Sequence, residues 1–229
     1  IYGFATELAM IPSEGIGVVV TCSRDMANQT AGRIARYALE AVLAAKNGEA
    51  AKVPEATGPV DPAMAKALDG YYEADSGKIE LRERDGRLQI WFGSIRSEIR
   101  SLGDRLITDD LLSFGRELEK IDDKSIRFDG KVYSRLSGEK PTDIPDRWKG
   151  LIGEYGWDHN VLFVLEKYGQ LHALIEWGFL YPLTETAPGV YAFPDYGLYP
   201  GEEIVFETDD RGKALRAVTA GIPFERRNI

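Results

Sequence analysis

Residues 1–22 read Ile1-Tyr2-Gly3-Phe4-Ala5-Thr6-Glu7-Leu8-Ala9-Met10-Ile11, then Pro12-Ser13-Glu14-Gly15, then Ile16-Gly17-Val18-Val19-Val20-Thr21-Cys22. The first part alternates as a strand, with Phe4, Leu8 and Met10 at even positions and Ala5, Ala9 and Ile11 at odd ones. The Pro-Ser-Glu-Gly stretch is a turn, and the run that follows is continuously apolar, as in strands covered on both faces. A helix is expected from about Asn28 to Ala45, with Ile34, Tyr37, Ala38, Ala41 and Val42 on one stripe and Arg33, Arg36 and Glu40 elsewhere. Two strands and a helix cannot by themselves bury that much apolar surface. The chain opens on Ile, in mid-pattern, so these residues read as the end of a domain whose beginning lies on another stretch of polypeptide.

Lys46-Asn47-Gly48 is a natural helix end, and the polar stretch from Ala50 to Pro59 reads as a linker. Asp61-Pro62 then starts a short helix, with Asp61 as N-cap and Pro62 in the first turn. Short strands follow at 70–73, 78–83, 87–92, 97–102, 125–128 and 131–136, with Asp85-Gly86 and Asp129-Gly130 as hairpin turns. After a second linker the pattern recurs: Gly70 and Gly153, Tyr72 and Tyr155, Gly86 and Gly169, and Leu88 and Leu171 are each 83 residues apart. The endings Tyr133-Ser134-Arg135 and Phe224-Glu225-Arg226 recur too. The organisation expected is 1–49 as the end of an α/β domain, 50–61 a linker, 62–137 a first β-barrel, 138–145 a linker and 146–229 a second barrel. The fold class is mainly β.

The order strand with Gly3-Phe4, turn, apolar Gly17-Val18-Val19-Val20 strand and Ala-rich helix resembles the last two sheet strands and C-terminal helix of the serine β-lactamase and penicillin-binding-protein family, closest to its class C, esterase and D-aminopeptidase-like branch. Leu151-Ile152-Gly153-Glu154-Tyr155, Leu162 to Leu171, Phe193 and Phe224-Glu225-Arg226 are similar to the lipocalin-like barrels that follow the catalytic domain in such hydrolases. The resemblance implies a Ser acyl-enzyme acting on a small amide, peptide or ester, with a Lys or Tyr as base and backbone N–H groups holding the oxyanion. It also implies a periplasmic or secreted setting, and as partner the N-terminal catalytic segment of the same protein, present as a second chain. No Ser-x-x-Lys stands at a helix start here; Asp122-Asp123-Lys124-Ser125 runs the wrong way. No catalytic residue is therefore expected in this chain, and Ile1 and Tyr2 are its expected contribution to the cleft wall.

Among the remaining polar groups, Trp157-Asp158-His159-Asn160 stands out as a hairpin loop. Asp158 and His159 are candidates for a loop reaching over a neighbouring cleft; an exposed turn is the plainer account. Asp158, His159 and His172 lack the fixed spacing of a metal site, and no cofactor is expected. The aromatics Trp177, Phe179, Tyr181, Tyr191, Phe193, Tyr196 and Tyr199 read as barrel filling before they read as a ligand pocket. A net charge of −9 argues against nucleic acid or an anionic membrane surface as partner. No run is long enough to span a bilayer. The single cysteine, Cys22, excludes an internal disulfide and reads as a small buried hydrophobe. The alternative to the hydrolase is a non-catalytic ligand- or partner-binding module of paired barrels.

Overall fold

The computed structural model describes residues 3–84, 86–93, 95–137, 143–175 and 179–228. It is mainly β and falls into two compact units, one running from Phe4 through the first β module and the other comprising the second β module together with Gly3.

In the first unit, β1 (Ala5–Ile11) and β2 (Ile16–Cys22) form a hairpin paired from Ala5↔Cys22 to Ile11↔Ile16. Pro12–Glu14 makes a single tight turn, ended by Gly15 at φ 65. Helix α1 (Asn28–Lys46) lies on one face of this hairpin, and Lys46 ties its end to the turn through the Glu14 carbonyl at 2.8 Å and carboxylate at 2.9 Å. The odd residues of β1 face the helix. The helix meets them with Ala27, Ala31 and Ala35, all buried, and not with the expected Ile34–Tyr37–Val42 stripe. Methyl-sized side chains let the helix approach the sheet closely, which the bulky stripe would prevent. Nor is β2 covered on both faces in this chain: Val18 and Val20 are half-buried while Val19 is exposed.

The linker leads to α2 (Pro62–Leu68), whose N-cap Asp61 accepts from the Met64 N–H at 3.0 Å. Eight strands then close into an antiparallel barrel: β3 (Gly70–Ala74), β4 (Gly77–Arg84), β5 (Arg87–Phe92), β6 (Ile95–Leu102), β7 (Arg105–Asp109), β8 (Phe114–Lys120), β9 (Ser125–Phe128) and β10 (Lys131–Arg135), with β10 pairing back to β3. Closure leaves no sheet edge exposed. Leu68, Tyr72, Leu81, Ile90, Ile99 and Ile126 are among the side chains that fill it. Strands β7 and β8 were not anticipated, because Arg105 to Asp109 and Arg116 to Lys120 are dense in charge.

The second unit begins with α3 (Asp146–Lys149) and differs from the closed ring expected of it. Strands β11 (Gly153–Trp157), β12 (Asn160–Lys167), β13 (Gln170–Ile175) and β14 (Phe179–Pro182) form one sheet. A second sheet contains β15 (Thr184–Ala187), β16 (Val190–Ala192), β17 (Glu203–Thr208), β18 (Ala214–Thr219) and β19 (Ile222–Glu225). The last pair of the first sheet is His172↔Pro182, followed by a Leu183 N–H donating to the Leu171 carbonyl at 2.8 Å, and the chain then enters the second sheet at Thr184. The sheets meet at a Tyr155↔Arg226 bridge and share one core. Tyr181, Tyr191 and Phe193 are buried in that core, as expected of barrel filling, whereas Phe179 and Tyr196 are exposed. Trp177 lies outside the described residues.

The same latch fastens both units. Arg226 donates through Nη1 to the Gly150 carbonyl at 2.8 Å and the Tyr155 hydroxyl at 2.9 Å, and through Nη2 to the Ile152 carbonyl at 2.6 Å. Its guanidinium lies 5.4 Å from the centre of the Tyr155 ring, whose hydroxyl donates to the Leu151 carbonyl. Arg135 likewise donates to the Ala67 carbonyl at 2.9 Å and to the Asp69 carbonyl, and lies 5.4 Å from the Tyr72 ring, whose hydroxyl donates to the Leu68 carbonyl at 2.8 Å. Gly70 and Gly153 leave room for the arginines: a Cβ would stand 3.0 Å from Arg135 Nε and 2.8 Å from Arg226 Nη2. A third shared contact is a turn: Glu83 accepts from the Gly86 N–H at 3.0 Å and Glu166 from the Gly169 N–H at 2.6 Å.

Removing either arginine leaves half-buried carbonyls without their donor, so Arg226→Met is expected to cost about 1–3 kcal/mol, read as a lower urea midpoint. Burial pushes the Tyr155 hydroxyl up to about 12, against the opposing pull of Arg226. A tyrosine in the unfolded chain ionises near 10.0, so the folded state holds this proton more tightly. Stability is therefore expected to be level below pH 10 and to fall as pH rises towards about 12, and Tyr155→Phe should flatten that loss in alkaline denaturation curves.

Candidate functional site

Two of the four residues singled out from the sequence fall at one place. Asp158 and His159 form the two-residue tip of the β11–β12 hairpin, closed by the Trp157↔Asn160 pair. Ile1 and Tyr2 lie outside the described residues.

The tip is built from its base. Gly156, at φ +90, lets Phe224 rise under the strand, since a Cβ there would stand 2.6 Å from the Phe224 ring. Trp157 rests on Phe224, with ring centres 5.7 Å apart, and stacks on the His159 imidazole at 5.8 Å with the planes only 12° apart. Asp158 accepts a hydrogen bond from Arg227 Nη2. Arg227 in turn donates to the Gly156 carbonyl at 3.1 Å and stands 3.7 Å from the Glu154 carboxylate. Gly3, at φ +78, lies against the tip; a Cβ on it would come within 2.7 Å of the His159 carbonyl oxygen. Trp157, Asp158 and His159 are exposed.

This arrangement presents a flat aromatic pair and a carboxylate held by an arginine. Such a surface suits contact and steric selection better than proton transfer, because Asp158 is already engaged as an ion-pair acceptor. The sequence reading missed Arg227. Its signal was present in the Arg226-Arg227 dipeptide: neighbouring residues point to opposite sides of an extended chain, so one arginine enters the latch and the next reaches the hairpin tip.

His172 lies on β13. Its Nδ1 is 2.9 Å from the Gln170 carbonyl, burial pushes its pKa down, and among the described residues no three His, Cys, Asp or Glu side chains gather to hold a metal. Ser125 donates to Asp122 at 2.8 Å in an exposed turn. No helix among the described residues is long and apolar enough to cross a membrane.

The second candidate is a surface. Leu8 and Val19 face each other across the hairpin on the side away from α1, and both are exposed at more than half, 63% and 62%. Met10 lies beside them, and Ile34, Tyr37 and Val42 are exposed on α1. Large apolar side chains are thus exposed on both outer faces of this helix–hairpin layer.

Compared with known protein families, the chain matches no family model. Among curated proteins it finds no match either.

Gly3→Ala is expected to displace the hairpin tip, shifting the His159 imidazole resonances and the Trp157 fluorescence and lowering stability by about 1–2 kcal/mol. Asp158→Asn, which weakens one largely exposed ion pair, is expected to change stability by less than about 1 kcal/mol in the same measurements.

Proposed function

We propose that this chain is the C-terminal portion of a serine hydrolase of the β-lactamase and penicillin-binding-protein-like kind. The hairpin and α1 complete an α/β catalytic domain whose nucleophile lies on a separate N-terminal segment, and two lipocalin-like modules follow. The observation that carries this reading is the helix–hairpin layer with apolar residues on both outer faces. A sheet with a helix on one face and Leu8, Met10 and Val19 bare on the other is two layers of a three-layer sandwich. The reaction of the completed enzyme is acyl transfer from serine to water on a small amide, peptide or ester. Ile1 and Tyr2 line its cleft, and the Trp157–Asn160 tip limits what enters.

A second reading, a non-catalytic ligand- or partner-binding module, is favoured by one observation. Phe179, Tyr196 and Leu198 are exposed around Tyr181, whose hydroxyl accepts from the Leu198 N–H at 3.0 Å. It requires the chain to be monomeric and stable alone.

The test is to express the polypeptide encoded immediately upstream together with this chain and treat the product with a fluorescent penicillin and an activated ester. The expected result is a stable two-part complex labelled on a Ser-x-x-Lys serine of the upstream segment, with this chain alone unlabelled. A monomeric chain, indifferent to the upstream segment, would leave the second reading standing instead.

A further inference from the structure

The β7–β8 loop of the first barrel is locked before it touches anything else. A register shift between Ile107 and Asp109 re-aims the strand end. Thr108, fully buried, accepts from the Ser113 hydroxyl at 3.0 Å and the Arg116 N–H at 3.1 Å. The Asp110 carboxylate accepts from the backbone N–H groups of Glu98 at 2.8 Å, Leu112 at 2.9 Å and Ser113 at 3.0 Å. These bonds anchor the loop to β6 and to itself.

What the loop presents is aimed at the helix–hairpin layer and its linker. Asp109 accepts from Arg33 of α1 at 2.9 Å and from the Thr57 hydroxyl at 2.6 Å. Arg33 also lies over the Phe114 ring, its guanidinium carbon 3.5 Å from the ring centre. Leu111 packs into the alanine core beside Ala5, Ala27 and Ala31. Thr57 in turn accepts from Arg100 Nε at 2.8 Å, and Gly58 exchanges two backbone hydrogen bonds with Ser101, at 2.8 and 2.9 Å. An ion pair, a cation over a ring and an apolar plug thus issue from six consecutive residues, 109–114, and all land on elements that precede the barrel.

We propose that the β7–β8 loop, through Asp109, Leu111 and Phe114, is a clasp that positions the hairpin and α1 for the catalytic segment to dock on. This rests on the hydrolase reading for the identity of what docks, but not for the clasp itself. Arg33, Asp109 and Leu111 are positioning residues. The first barrel supplies the inner side of the small alanine core and leaves only the outer apolar faces for the companion.

Hydrogen exchange on the full chain, resolved by peptide, tests it. Asp109→Ala combined with Leu111→Ala is expected to speed exchange in β1, β2 and α1 about tenfold while β4 and β5 keep their protection. Arg33→Asp alone should loosen the same elements, and Arg33→Asp with Asp109→Arg should restore them in part. Unchanged exchange in α1 and the hairpin, or faster exchange spread equally through the barrel, overturns the clasp. Its failure is distinguishable from failure of the hydrolase reading: a labelled upstream segment with unaltered exchange removes the clasp alone. Altered exchange with no upstream partner removes the hydrolase alone.

Discussion

A guanidinium laid across a tyrosine ring, its N–H groups occupied by carbonyls at the end of a leading helix, fastens each β unit of this chain. A half-buried arginine is favourable when its donors are met, and here backbone oxygens meet several of them. Everything else at that end follows. The first strand must open on glycine, because a side chain there would collide with the arginine. The tyrosine two residues on must carry a hydroxyl, because it ties the strand to the helix it has just left. The last strand must return to the first. One interaction thus joins the beginning and end of each module and specifies which strands become neighbours.

This constraint explains what could be read in advance. The glycines, tyrosines and leucines spaced 83 residues apart mark contacts that depend on one residue type each, so they show plainly in the linear sequence. The Asp61 cap and the hairpin turns were legible for the same reason. Strands β7 and β8 were not, because a barrel strand can carry charge on every outward position and a bulge breaks the alternation. The packing face of α1 departs from the expected one because bulk does not mark burial on this helix. The helix turns its alanines inward and leaves Ile34 and Tyr37 outside. The closed ring expected of the second module is two sheets over one core, and where one sheet gives way to the next depends on pairings between distant strands that no local signal marks.

The candidate site was legible in part. Its loop residues were visible as an unusual run of Trp, Asp, His and Asn. Their partners were not, since Phe224 and Arg227 come from the far end of the module and only the fold brings them beneath the hairpin. The chemistry proposed for the completed protein rests on a different property, the amount of apolar surface that the hairpin and helix leave uncovered. Recognition and catalysis are thus divided in this reading, with the described residues supplying a tip and a frame.

The spacing of the latches carries a last consequence. At their front ends the two modules are 83 residues apart, but their closing arginines, Arg135 and Arg226, are 91 apart. All the additional length in the second copy lies behind the shared Gly86 and Gly169 turns, in the half that contains the Tyr196–Leu198 loop. If the modules arose by duplication, the front half has stayed under the demands of closure while the back half has been free to lengthen.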